Sequence, residues 1–316
     1  MCAGIVSLIT PDLRASPTQV ANQWIYVTRR FQEFLSNITL TDDQLEDGRT
    51  KIKGIVKSLN RHYWGIESDS TNYRLVGSWG KRTRVRPPRD IDIMFFLPAA
   101  VHQRFSERVG NSQSQLLQEV KDALSVTYST TRMRGDGQVV VVPFNSFRVE
   151  VVPAFELQNG QTLICDTNNG GQYKTSDPIA EIKAFDTASQ LSNGNTRDLV
   201  RMLKCWQTEC SVPLKSFQLE LLAMEFTEKW EYKGNDRFWY DWMVRDFFRF
   251  LQGKANGFVF QPGTYELISL GNDWLPKAER AYKVALDACE YEKTNIDILA
   301  QMYWKEIFGA EIKAIV

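Results

Sequence analysis

Asp90 and Asp92 stand one residue apart at the head of a run of branched and aromatic residues, DIDIMFFL. In a strand successive side chains point to opposite faces, so the two carboxylates share one face and Ile91, Ile93 and Phe95 the other. Paired carboxylates beside a hydrophobic core repel each other and resist leaving water. A divalent cation between them removes both penalties. An all-oxygen donor set without His or Cys favours Mg²⁺ or Mn²⁺ over zinc. About a dozen residues upstream, Gly77-Ser78 closes another strand-like run, YRLVG. Glycine lets the backbone approach a ligand closely, and a serine hydroxyl with its neighbouring amides can hold phosphate oxygens. Alone, each pair is commonplace, a turn or a solvated strand start. Together, each on its expected element, they describe metal-assisted phosphoryl transfer. A third carboxylate is expected from a neighbouring strand. FRVEVVPAF (147–155) offers Glu150, whose ordinary alternatives are an edge position or an arginine partner.

The elements that must position these groups are legible as three stretches. Residues 17–64 read as helical. Thr41 with Gln44 makes a capping box, Asp42 and Asp43 give an acidic first turn, and Leu40 and Leu45 form a hydrophobic staple. Ile52, Ile55, Val56, Leu59 and Tyr63 then recur at helical spacing, with Gly48 a weak point that need not end the helix. Residues 72–165 change to short Val-, Ile- and Phe-rich runs between turn signals, interrupted by a helix over 112–128 on Leu116, Leu117, Val120 and Leu124. From about 176 the pattern is helical again, with Thr196 as a cap for Leu199, Val200, Leu203 and Trp206. The expected organisation is α+β: residues 1–170 as a sheet-containing core with its N-terminal helix, and 171–316 as a helical lobe closing a cleft. Asn169-Gly170-Gly171-Gln172 marks the joint.

The bulk properties restrict the function classes. The chain has 316 residues, and 38 Lys and Arg balance 38 Asp and Glu. No global field recruits nucleic acid or membrane, so any such binding needs a local patch. Five cysteines, an odd number without framework spacing, and only two histidines argue for reduced thiols and against a zinc site. The N-terminal MCAGIVSLITPDLR has no basic leader or cleavage pattern. No apolar run approaches the roughly 20 residues that span a bilayer. A soluble, cytoplasmic bacterial protein is expected.

RPPRDIDIMF (86–95) followed by VEVVPAF (149–155) resembles the bacterial cyclic-oligonucleotide synthases of anti-phage signalling, the CD-NTases of CBASS systems. These are similar to cyclic GMP-AMP synthase and oligoadenylate synthase within the polymerase-beta-like superfamily. The resemblance spans about 40–230. It implies a polymerase-beta-like nucleotidyltransferase core whose long N-terminal helix is the spine, plus a C-terminal helical lobe. It also implies two Mg²⁺ ions (or Mn²⁺) on the catalytic acids Asp90, Asp92 and Glu150, and nucleotide binding at Gly77 and Ser78. LVRMLKCW (199–206) resembles the helix whose lysine contacts the donor triphosphate, which makes Lys204 that residue. PLKSF (213–217) resembles the segment of a phosphate-binding serine and a base-stacking aromatic, implying Ser216 and Phe217. The implied substrates are nucleoside triphosphates, ATP or GTP foremost, and the product a cyclic di- or trinucleotide. The same core also serves enzymes that make linear oligonucleotides or modify RNA, protein or a small molecule, and catalytically silent binding modules.

Three departures stand out. Many relatives carry Asp where this chain has the longer Glu150. The zinc-binding insertion of the animal DNA sensor is missing, so activation by DNA is not expected; a regulatory protein partner is left unspecified. The loop holding Lys81, Arg82, Arg84, Arg86 and Arg89 is unusually basic, either steering triphosphates or simply solvated. Judged by spacing alone, Arg197, Arg201 and Lys204 form a solvated basic stripe, and Phe217 with Leu221 reads as core. FWYDW (238–242) and FFRF (247–250) read as packing or partner surface.

Overall fold

The computed structural model describes residues 23–316, so Cys2 and the segment MCAGIVSLITPDLR lie outside the described residues. The chain opens with helices α1 (Val27–Asn37) and α2 (Asp42–Trp64). The capping box of α2 forms as its sequence requires: Thr41 accepts from the Gln44 amide while the Gln44 side chain accepts from the Thr41 amide. Gly65, left-handed at φ 68°, ends the helix.

After β1 (Tyr73–Leu75) and the single turn α3 (Gly77–Gly80), the chain forms β2 (Ile91–Phe96), α4 (Ala99–Ser106) and α5 (Ser112–Ser125). Five strands complete the sheet: β3 (Arg134–Asp136), β4 (Val139–Pro143), β5 (Arg148–Glu156), β6 (Thr162–Asp166) and β7 (Gln172–Ser176). The sheet has seven strands with the path β1-β2-β5-β4-β3. At nine residues β5 is long enough to pair with β4 through its first half and with β6 through its last. Every pairing is antiparallel except β2 with β5, which run parallel with Asp92 beside Glu150. Ile91, Ile93 and Phe95 are buried with Ile52, Ile55 and Leu59 of α2 and with Leu116 and Val120 of α5. The alternation expected for β2 therefore holds, and α2 is the spine.

The remainder is helical: α6 (Pro178–Leu191), α7 (Asn195–Glu209), α8 (Ser216–Lys229), α9 (Tyr240–Gln252), α10 (Leu275–Lys293) and α11 (Asp297–Phe308). A small hairpin of β8 (Phe258–Phe260) and β9 (Leu267–Ser269) interrupts them. The aromatic cluster at 238–242 is internal packing: Phe238, Trp239, Tyr240 and Trp242 are all buried. Thr196 does not cap α7. Gly194 holds that position at φ 88°, and the Thr196 hydroxyl is buried between Ser192 and Thr227.

Two observations redraw the expected joint at 169–172. The sheet continues past it into β7, an edge strand whose polar Gln172, Lys174 and Thr175 leave no apolar signature. In turn α1 packs among the C-terminal helices, where Val27, Phe31 and Phe34 join their core. Arg30 fixes it there, wholly buried, bonding Glu292 at 2.5 Å and Asp297 at 2.7 Å.

Gly48 has a structural reason. A Cβ there would stand 2.5 Å from the Trp79 ring, so the missing side chain lets the α3 tryptophan seat against the spine. Gly→Ala in a helix usually stabilises by about 1 kcal/mol. Overpacking a rigid, buried indole costs about 1–3 kcal/mol. Gly48→Ala should therefore lower stability by up to about 2 kcal/mol in urea denaturation; a gain would show that Trp79 does not need the gap.

Candidate active site

A cavity of about 310 Å³ lies where the sheet meets the helical lobe. Gly77, Ser78, Asp90 and Asp92 line it from the sheet side, and Lys204, Ser216 and Phe217 from α7 and α8. Seven of the eight residues proposed from sequence thus reach one cavity. The eighth, Glu150, stands beside Asp92 in the sheet but is not on the cavity wall.

Gly77 lets the two sequence motifs touch. It sits at φ 52°, and a Cβ there would lie 2.1 Å from Asp92 Oδ2. Conformation and space both exclude a side chain. The Val76 amide donates to the Asp92 carbonyl at 3.1 Å, holding the turn against the strand.

The electrostatics follow from this crowding. Burial, then the neighbouring Glu150 and Asp90, push the Asp92 carboxyl up to about 6. Burial and Asp90 also raise Glu150. Arg148 was missed in the sequence, although it precedes Glu150 by two residues and so shares its face. Its guanidinium bonds Asp90 at 2.7 Å and Glu150 at 3.1 Å. With those carboxylates turned to Arg148, no group of three His, Cys, Asp or Glu among the described residues is gathered as a metal cage. The donor set nevertheless fits a hard cation: the donors are all oxygens, Asp92 makes no ion pair among the described residues, and a cation already bridges the other two acids.

The wall from the helical lobe centres on a second residue the sequence did not reveal. Glu220 is buried on α8 and accepts from Lys204 Nζ at 2.9 Å, Lys81 Nζ at 2.9 Å and Thr83 Oγ1 at 3.0 Å. Burial alone would raise its carboxyl, but the two ammoniums hold it down at about 2. An acid set among Leu219, Leu221 and Leu222 was the available signal. Lys204 therefore reaches the cavity with its charge already matched. Ser216 donates to Gln207 Oε1 at 2.9 Å, and the Phe217 ring carries the Lys81 ammonium 5.0 Å from its centre.

The basic loop is mostly engaged in packing. Arg82 pairs with Asp186 at 3.0 Å, Arg86 donates to the Asn37 carbonyl, and Arg89 donates to the Lys204 carbonyl at 2.9 Å.

A mixed sheet carrying Gly-Ser and paired aspartates at a cleft closed by a helical lobe defines a nucleotidyltransferase. Comparison with known proteins agrees. Residues 26–188 match the model of the Second Messenger Oligonucleotide or Dinucleotide Synthetase (SMODS) domain. A protein named a probable cyclic nucleotide synthase, from Bacillus cereus, is 21% identical over 276 residues, covering 74% of this chain and 80% of its own. Among solved structures, CdnC of Escherichia coli MS115-1, in complex with HORMA-deltaN, superposes with TM-score 0.64 at 16% identity, covering 91% of this chain and 98% of that one. The di-nucleotide cyclase DncV of Vibrio cholerae gives TM-score 0.64 at 13% identity, covering 94% of this chain and 89% of that one. The chain belongs to the second messenger oligonucleotide or dinucleotide synthetase family, and it is a nucleotidyltransferase of the cyclic-oligonucleotide synthase class. No helix among the described residues is long and apolar enough to cross a membrane.

The Asp92 shift has a calculable effect on stability. Well below the ordinary 3.8 its carboxyl is neutral in folded and unfolded chains alike and costs nothing. Between the ordinary 3.8 and about 6 only the unfolded chain ionises, so folding weakens as pH rises. Above that the full cost, about 3 kcal/mol, is present. Asp92→Asn should therefore stabilise the protein in EDTA at pH 7.5 by up to that amount, with the gain shrinking as pH falls from about 6 and vanishing below the ordinary 3.8. Equal stability of the two proteins at pH 7.5 in chemical denaturation would contradict this.

Proposed function

We propose that this protein joins ribonucleoside triphosphates, ATP or GTP foremost, into a cyclic di- or trinucleotide that serves as a second messenger in bacterial anti-phage (CBASS) defence, acting in the cytoplasm. The observation that carries the chemistry is the parallel register that sets Glu150 beside Asp92, which itself lines the cavity with Asp90 and Gly77-Ser78. Asp90, Asp92 and Glu150 would hold Mg²⁺, with Mn²⁺ as an alternative. Bound there, Mg²⁺ supplies the positive charge that offsets the α-phosphate and departing pyrophosphate as a ribose hydroxyl of a second nucleotide attacks.

The chain's own groups do the rest. Arg148, nearly half exposed, can turn to water and release Asp90 and Glu150. Ser78, with no side-chain hydrogen bond to another described residue, has its hydroxyl free for a phosphate oxygen. Ser216 can exchange its bond to Gln207 for another, and Phe217 offers a ring face to a base. Lys204 stands on the same wall with its charge matched by Glu220, and Ser78, Ser216 and Phe217 are the groups with contacts to offer. Such groups fix the donor triphosphate in line with the attacking hydroxyl. A second transfer within the linear intermediate closes the ring.

The test is incubation of the purified protein with the four ribonucleoside triphosphates and Mg²⁺ or Mn²⁺, followed by phosphatase and mass spectrometry. A phosphatase-resistant cyclic product is expected, falling by about three orders of magnitude or more in the Asp90→Ala, Asp92→Ala double variant. A linear or adduct product would keep the chemistry and overturn the cyclic reading. Undiminished product in the double variant would overturn the site.

A further inference from the structure

Four cations line the active-site cavity: Lys81, Arg84, Arg89 and Lys204. Three are already committed. Lys81 and Lys204 both bond Glu220 at 2.9 Å. Arg89 donates to the Lys204 carbonyl at 2.9 Å and to Gln207 at 3.3 Å. Arg84 differs. Its guanidinium lies 5.0 Å from the centre of the Trp79 ring and makes no hydrogen bond or ion pair with any described residue. The charged groups around it are of its own sign: Arg49 on α2, Arg201 on α7 and Arg82 in its own loop. Those three have partners, in Glu46, Asp198 and Asp186. Burial and these like charges lower the Arg84 pKa. Trp79 in turn seats on Gly48 of the spine, so the ring that carries Arg84 is held rigidly.

A half-buried guanidinium among other guanidiniums is costly until an anion joins it. Held over a fixed indole, its planar fork loses little freedom on binding and matches two phosphate oxygens at once. We propose that Arg84 is the residue that grips the phosphate chain of the nucleotide in this cavity. Lys204, given that role by family resemblance, acts instead with Lys81 to hold Glu220 between the lobes. The proposal rests on the triphosphate reading of the cavity, and it assigns a role to the one cation of the wall with its donors unused.

The experiment uses inorganic tripolyphosphate as the probe, titrated calorimetrically into the full chain in EDTA, so that neither metal nor turnover enters. Arg84→Ala should weaken binding about tenfold or more, and Arg84→Lys by less, because one charge-assisted bond of the fork is worth about 1.4 kcal/mol or more. The melting temperature of Arg84→Ala should equal or exceed that of the wild type, since a repulsion is relieved. Lys204→Met should melt lower, because it strips Glu220 of a partner. No measurable binding to the wild type, or an Arg84→Ala affinity within twofold of it, overturns the proposal. So does Lys204→Met losing tripolyphosphate binding at an unchanged melting temperature. The two readings separate cleanly. Cyclic product from Arg84→Ala at an unchanged KM would sink this proposal and leave the proposed function standing. Arg84-dependent tripolyphosphate binding in a protein that makes no nucleotide product would do the reverse.

Discussion

The parallel pairing of β2 with β5 places Asp92 directly beside Glu150, with Asp90 at the mouth of the same strand. Carboxylates gathered where a sheet enters its own core repel each other and lose hydration together, so the surrounding structure must hold them against that repulsion. Much of the local architecture answers this demand. Gly77 brings its backbone so near the Asp92 carboxyl that no side chain fits between them. Trp79, two residues on, anchors that turn by filling the notch at Gly48, and the spine helix supplies the rigid surface beneath. Arg148 compensates Asp90 and Glu150, which leaves Asp92 as the acid of the three without an ion pair among the described residues. Electrostatic strain of this kind, concentrated at one corner of a well-packed domain, is typical of functional sites.

The second half of the site comes from the helical lobe, and Glu220 joins the halves. One carboxylate receives Lys81 and Thr83 from the loop after α3 and Lys204 from α7. A buried network like this adds little net stability compared with apolar packing, but it fixes relative position, because an unpaired member would be heavily penalised. Arg30 does the same at the far end, binding α1 to Glu292 and Asp297 near the C-terminus. The cavity is thus bounded by two elements that cannot slide past each other without exposing buried charge.

The parts of this arrangement legible in the sequence were those governed by local rules. Period-two alternation placed Asp90 and Asp92 on one side and Ile91, Ile93 and Phe95 in the core, and a capping box located the start of the spine. What stayed hidden depended on distant neighbours. The sequence suggests a basic stripe on α7, but Lys204 is buried because Glu220, sixteen positions later, faces it from α8. Thr196 has the chemistry of a cap, yet Thr227 and Ser192 draw its hydroxyl inward and Gly194 takes the turn. β7 escaped notice because a polar edge strand has no alternation to read, and α1 looked like part of the core lobe because nothing local announces Glu292 as its partner. Arg148 and Glu220 did carry a signal, one by alternation with Glu150 and the other as an acid inside an apolar run.

The distribution of charge bears on what the cavity can accept. With 38 basic and 38 acidic residues the chain has no long-range attraction for a polyanion, and affinity for long RNA rests on many simultaneous phosphate contacts. The arginine loop is largely engaged: Arg86 and Arg89 are turned inward to Asn37 and α7, and Arg82, though exposed, pairs with Asp186. What remains is local and of both signs, acids at Gly77-Ser78 and one uncommitted guanidinium on Trp79, within a cavity of about 310 Å³. A small ligand that carries its own compact string of negative charge, and brings a divalent cation with it, satisfies both ends at once. A nucleoside triphosphate has that form. A polymer would find no further uncommitted cation among the described residues of this cavity wall, so the charge pattern here matches a short string of phosphates rather than a long one.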